Sequence, residues 1–297
     1  MLPPPIDACV LLCEHSSGHS GGVGMPYRNL PYVVGFLIVL ALVAFWPGYV
    51  SQIGTSSWLA HLHGITATLW MMAVGFQAWS MNAKRRDVHR AGGLATLAMF
   101  PLFMAGAGAV TYSMAAATAS GNAFYQLWGS KLGIIDALSA VAILWLVHIA
   151  LAERRNMAMH ANAMVATLLF VIMPIFSRLL NHLMPGLRID GPADFPLFGI
   201  SLQLSQLMGF LAALWLARRA GRNRRPFLIV AGMIIVQSLL FETFAATSTW
   251  TSFHRSIATL SPGPILALHA LLGALVVWHG WQAGARPRRA AASSHSE

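Results

Sequence analysis

The sequence predicts an all-α integral membrane protein, a bundle of about eight transmembrane helices with both termini in the cytoplasm. Three observations predict it. Only 9% of the 297 residues are charged and 57% are hydrophobic, whereas a soluble domain carries about 25% charged residues to solvate its surface. The apolar residues come in runs of roughly twenty, the length that spans a bilayer as a helix, not in the alternating strands of a membrane barrel. The basic residues fall in alternate gaps between those runs.

Backbone amides in lipid must be satisfied inside their own segment, which makes each run a helix. The runs are 30–50, 58–80, 91–113, 131–151, 161–183, 196–217, 226–248 and 264–282. The first ends in Phe45-Trp46-Pro47-Gly48-Tyr49, the third is rich in the Ala and Gly that permit close helix contact, and Pro174 is expected to kink the fifth. Trp and Tyr at several ends (Tyr49, Trp58, Trp79, Trp215, Trp281) fit an interfacial belt.

Orientation comes from the gaps. One set holds Arg28, Lys84, Arg85, Arg86, Arg90, Arg154, Arg155, Arg218, Arg219, Arg222, Arg224, Arg225, Arg286, Arg288 and Arg289, which is fifteen of the nineteen basic residues. The alternate set holds three, Lys131, Arg188 and Arg255, and Arg178 lies inside the fifth segment. Positive loops stay in the cytoplasm, so an even number of crossings with both termini inside is expected. The net charge of +10 therefore reads as membrane orientation, and nucleic acid is excluded as a partner. Phosphate-cradling Gly-rich loops, zinc-protease helices and nucleophile elbows are absent from the sequence.

Residues 1–29 read as a disordered, Pro/Gly/Ser-rich cytoplasmic leader without the basic start and small-residue cleavage site of a signal peptide. Met25-Pro26-Tyr27-Arg28 stands directly before the first segment as an alternative start, and residues 1–24 are expected to be dispensable. Cys9, Cys13, His15 and His19 have zinc-type side chains, but their spacing is too tight for a finger and reads as coincidence. Residues 283–297 form a basic cytoplasmic tail after the transmembrane domain of 30–282.

An ionisable group inside a membrane helix costs about 2.5–3.5 kcal/mol at the centre, which makes it a functional candidate. With the orientation above, the outer half holds His61, His63, Asp136, Arg178, His182, Gln203, Gln206, Glu242 and His269, and the inner end holds His89, His148, His160 and His279. His61, Asp136, Arg178 and Glu242 are expected to form an outer polar site, with Glu242 before Asp136 as the counter-charge of Arg178. That set reads either as a cavity for a ligand, ion or haem edge, or as a structural bridge among interface histidines.

Four histidines fit a second chemistry. His89 and His160 each open a segment that starts at the inner face, and His63 and His269 lie at equal depth near the outer face. Leu62-His63-Gly64 is echoed by Leu268-His269-Ala270, and Gln77-Ala78 by Gln282-Ala283. Pairs of histidines on facing helices are axial ligands for b-type haem.

The run His61-Leu62-His63-Gly64, Trp70, Gln77, Lys84–Arg86, His89-Arg90, Gly92-Gly93, followed by Glu153-Arg154-Arg155, His160, Met164 and Arg178, resembles a bacterial family of multi-pass membrane proteins known only as a domain of unknown function. The resemblance covers roughly residues 30–180, and it implies the fold type and little else; the bacterial inner membrane is the expected location. A weaker resemblance is to cytochrome b561, where a basic loop also separates two helix-end histidines; here Asp136 stands where that family's outer partner histidine would sit. Three functions follow as expectations. The first is a membrane electron-transfer protein with haem b and a quinone or redox protein as partner. The second is a transporter or channel using the outer polar site, and the third is a structural or assembly protein of the membrane.

Overall fold

In the computed structural model, residues 27–285 are described, and all their regular structure is helical. The helices are α1 (Leu30–Ala44), α2 (Trp58–Asn82), α3 (Arg86–Ala119), α4 (Ala123–Ala152), α5 (Met157–Leu183), α6 (Leu197–Ala220), α7 (Arg225–Glu242), α8 (Ser248–Ile257) and α9 (Pro262–Ala285). Seven of these, α2 to α7 and α9, are long and apolar enough to cross a membrane, while α1 is shorter at 15 residues. This is the build of a multi-pass membrane protein.

The helices outrun the apolar runs because hydropathy marks lipid contact and capping marks the ends. α3 begins five residues before its apolar run and takes in Asp87, His89 and Arg90. α4 begins at Ala123 because the Asn122 side chain accepts hydrogen bonds from the Phe124 and Tyr125 amides, satisfying donors that a helix start leaves open. α1 stops at Ala44, short of the expected residue 50, three residues before Pro47, which has no amide proton to offer a helix. α8, a polar, amphipathic helix of ten residues capped by Thr247, lay hidden between two apolar runs. α5 continues through Pro174, and α3 through Pro101, which the sequence reading had not singled out.

α3 is the hub of the bundle. It packs against α2, α4 and α9, while α4 also meets α5, α7 and α9, and α5 meets α6 and α1. The buried residues of α9 are three glycines, Gly273, Gly280 and Gly284. They form one small-residue stripe that lets its backbone approach Pro101 of α3 and Leu151 of α4. Several polar side chains in the core are paired, as a low-dielectric interior favours. Gln206 donates to Gln237, which donates to the Ile135 carbonyl at 3.0 Å and to Ser139 at 2.8 Å.

Side-chain hydrogen bonds gather the arginine-rich loops at one end. Asn82 donates to the Arg28 carbonyl, Tyr27 to Asn162, Asn156 to Asn223, and Arg154 to the Trp281 carbonyl. Both ends of the described chain therefore lie at this basic end. Burial pushes the Tyr27 phenol up to about 12, so it stays a neutral donor. Tyr27 to Asn29 belong to the folded body, not to a leader, and 283–285 belong to α9. The Cys9/Cys13/His15/His19 cluster, the dispensability of 1–24 and Arg286–Arg289 lie outside the described residues.

Candidate functional site

Two polar regions lie in the bundle, one at the basic end and one in the opposite half. The first starts from a helix-terminating turn. After Asn82 the chain closes with Lys84 N–H on Met81 O and Arg85 N–H on Ser80 O, the double bond of a Schellman motif, which needs a left-handed residue. Lys84 takes that conformation at φ 58°. The turn is so tight that His89, in the first turns of α3, falls back against Ser80, with Nδ1 3.3 Å from its Oγ. Ser80 spends its own proton on the Gln77 carbonyl, so His89 Nδ1–H is the donor of that bond. His160, in the first turns of α5, donates from Nδ1 to the Ala150 carbonyl of α4 at 2.8 Å.

The two rings meet at the basic end, centroids 6.4 Å apart and planes at 79°. With each Nδ1 proton committed, each Nε2 is left with its lone pair for a ligand. Both rings line a cavity of about 620 Å³ whose walls include Leu30, Val74, Leu97 and Val165, with Arg86 and Arg90 also on its lining. Gln77 lines it too, with both atoms of its amide buried and without a hydrogen-bond partner. That amide fits because Gly92 has no side chain: a Cβ there would stand 2.9 Å from Nε2. Sequence reasoning placed Gln77 in a motif but not in the site, although a lone amide near a helix end, one turn from a basic loop, was the available signal.

The second pair of histidines is not brought together. His63 donates from Nδ1 to the Gly106 carbonyl of α3, and His269 donates to Ile265 O of its own helix while its ring packs on Gly108. Residues two apart on a helix point about 200° apart. The expected His63–His269 pairing is therefore corrected: α3 runs between the two rings. The echo between the two helices has a structural meaning, since each brings a histidine against an α3 glycine.

The expected outer site also divides. His61 bonds the Tyr49 hydroxyl at 2.9 Å. Glu242 is exposed, accepts from Gln203 at 2.8 Å and faces Lys131 at 4.0 Å. Glu242 is thus not the counter-charge of Arg178; it faces Lys131 of α4 instead. Arg178 donates to the Pro174 carbonyl and lies 4.5 Å from the Phe45 ring. Its electrostatic neighbours are Asp136 and Tyr125, and it acts in turn on His63. Among the described residues no ion pair joins Arg178 to Asp136 either.

Among the described residues, no group of three or more His, Cys, Asp or Glu is placed to hold a metal ion by itself. Comparison with known proteins finds no matching family model, no matching curated protein and no matching solved structure.

Proposed function

We propose that the chain is a membrane electron-transfer protein that holds one b-type haem between His89 and His160 at the basic end of the bundle. The His89–His160 pair carries the reading. The two rings meet 6.4 Å apart, and with each Nδ1 bonded elsewhere, His89 and His160 would hold the haem through Nε2. The apolar walls fit a porphyrin, and Arg86 and Arg90 offer guanidinium forks suited to its carboxylates. Bound there, haem supplies a one-electron Fe(III)/Fe(II) couple. The chain's own part is to fix both ring tautomers through Ser80 and Ala150, to exclude water with apolar walls, and to raise imidazole basicity through the Nδ1 bonds. A quinone or a redox protein is the expected exchange partner.

Full-length protein from haem-replete cells is expected to show a Soret band and a reduced-minus-oxidised difference spectrum. His89→Ala or His160→Ala is expected to remove most of it, and His63→Ala or His269→Ala to leave it. Colourless, folded wild-type protein would end the proposal.

In a bacterial inner membrane the basic end faces the cytoplasm, with eight crossings when α1 and its following turn are counted. Reporter fusions at residue 297 and beside Gly121, which lies at the opposite end between α3 and α4, are expected to report opposite sides. Equal activity from the two would overturn the topology.

A further inference from the structure

Haem between His89 and His160 leaves one polar group of the cavity unexplained, the Gln77 amide. Both of its atoms, Nε2 and Oε1, are buried and have no hydrogen-bond partner among the described residues. A buried amide left open bears the full cost of its lost hydration, and native interiors leave few such groups without a reason.

The amide has a defined seat. It packs across the α2–α3 joint on Gly92, where a Cβ would stand 2.9 Å from Nε2 and 2.8 Å from the Phe76 ring. Glycine at this point makes the room that the amide occupies. Arg86 opens α3, His89 stands three residues further on and Gly92 six. At the usual helical rise, Gly92 and the amide against it are about 4.5 Å deeper in the bundle than His89. Gln77 nevertheless lines the same cavity as the histidine pair.

That depth separates the amide from the groups that haem engages. On the haem reading the two histidines serve the iron, and Arg86 and Arg90 serve the carboxylates. The rest of a b-type porphyrin rim is hydrocarbon and offers the amide neither an acceptor nor a donor.

We infer that the Gln77 amide is the headgroup site of a lipid-soluble quinone, seated beside the histidine pair. The inference rests on the electron-transfer reading for its purpose, and on the amide and the cavity for its chemistry. A quinone carbonyl accepts from Nε2–H, and the hydroxyl of the reduced quinol donates to Oε1. One amide therefore serves both oxidation states, which a lone donor or a lone acceptor does not. Val74, Leu97 and Val165 give the cavity the apolar wall that a hydrocarbon-substituted ring requires. An acidic amphiphile would instead place its headgroup at the arginines and leave the amide open.

The test uses the purified full chain from haem-replete cells and three probes. These are decylubiquinone, menadione and methylnaphthalene, the last being the menadione ring system without its oxygens. Calorimetry reads binding, and absorbance reads haem in the same samples. At least one quinone is expected to bind and the hydrocarbon is not; which quinone binds assigns the benzoquinone or the naphthoquinone class. Gln77→Met keeps the length of the side chain and removes its donor and acceptor. It is expected to weaken quinone binding by roughly tenfold or more and to keep the Soret band. It is also expected to melt no lower than the wild type, because an open amide has left the interior. Gly92→Ala, which crowds the amide, is the second variant and is expected to weaken binding in the same direction. The inference falls if neither quinone binds, if methylnaphthalene binds as well as menadione, or if both variants bind quinone as the wild type does. A wild type with a Soret band and no quinone binding overturns this inference alone. Colourless protein whose quinone binding depends on Gln77 overturns the haem proposal alone and supports this one.

Discussion

Trp70→Ala is expected to destabilise the bundle by about 3–5 kcal/mol, the range for removing a large aromatic from a packed core. Trp70 is fully buried at 0% exposure. Its ring stacks on Phe103 at 5.0 Å with planes 5° apart and tilts against Phe100 at 5.2 Å, joining α2 to α3. Its indole N–H donates to Thr167 Oγ1 of α5 at 3.0 Å, so one side chain ties three helices. Lipid offers little hydrophobic drive for helix association, and dispersion and hydrogen bonding dominate. A cavity at this junction therefore costs contacts that no other residue replaces. Trp70→Phe keeps most of the packing and loses the hydrogen bond, for an expected cost of about 1 kcal/mol. Reversible denaturation of the purified protein measures both. A Trp70→Ala variant as stable as the wild type would show that this junction is not a keystone.

Acidification is expected to loosen α8, through His254. This ring is 1% exposed, and neither of its nitrogens has a hydrogen-bond partner. It packs on Gly133 of α4, where a Cβ would stand 2.7 Å from Cδ2. Burial, and then the neighbouring Arg255 charge, hold its pKa below the usual histidine value. The folded state therefore refuses a proton that the unfolded state accepts. Stability is unaffected above the unfolded value of about 6.5. Below it, stability declines by up to about 1.4 kcal/mol per pH unit, until the pH reaches the lowered folded-state value. Melting temperatures measured from pH 8 to pH 5 are expected to fall for the wild type, and His254→Phe is expected to flatten that fall. An unchanged slope in His254→Phe would assign the acid sensitivity to other groups.

His254 also shows where sequence reasoning stops. As a histidine near a segment end it reads as interfacial, and only the packing of α8 on α4 turns it into a sealed ring. Gln77 is similar, because its amide is stranded by Gly92 on a helix fifteen positions away. Arg178 was legible as an intramembrane charge, but its direction was not. Glu242 looked like its partner at matching depth, and it faces Lys131 instead.

The sequence by itself determined the helical class, the existence and order of the long apolar helices, and which loops share the basic end of the bundle. These follow from local quantities, namely the length of apolar runs and the alternation of basic gaps, which lipid imposes on each segment separately. It also placed His89 and His160 at one depth, since a helix converts position along the chain into height. The tertiary structure decided which groups at equal height face each other. It joined His89 to His160 across one cavity and put α3 between His63 and His269. Rotation about a helix axis leaves depth unchanged, so no count along the chain records it; the packing of α2, α5 and α9 around the glycine-bearing faces of α3 and α4 sets it.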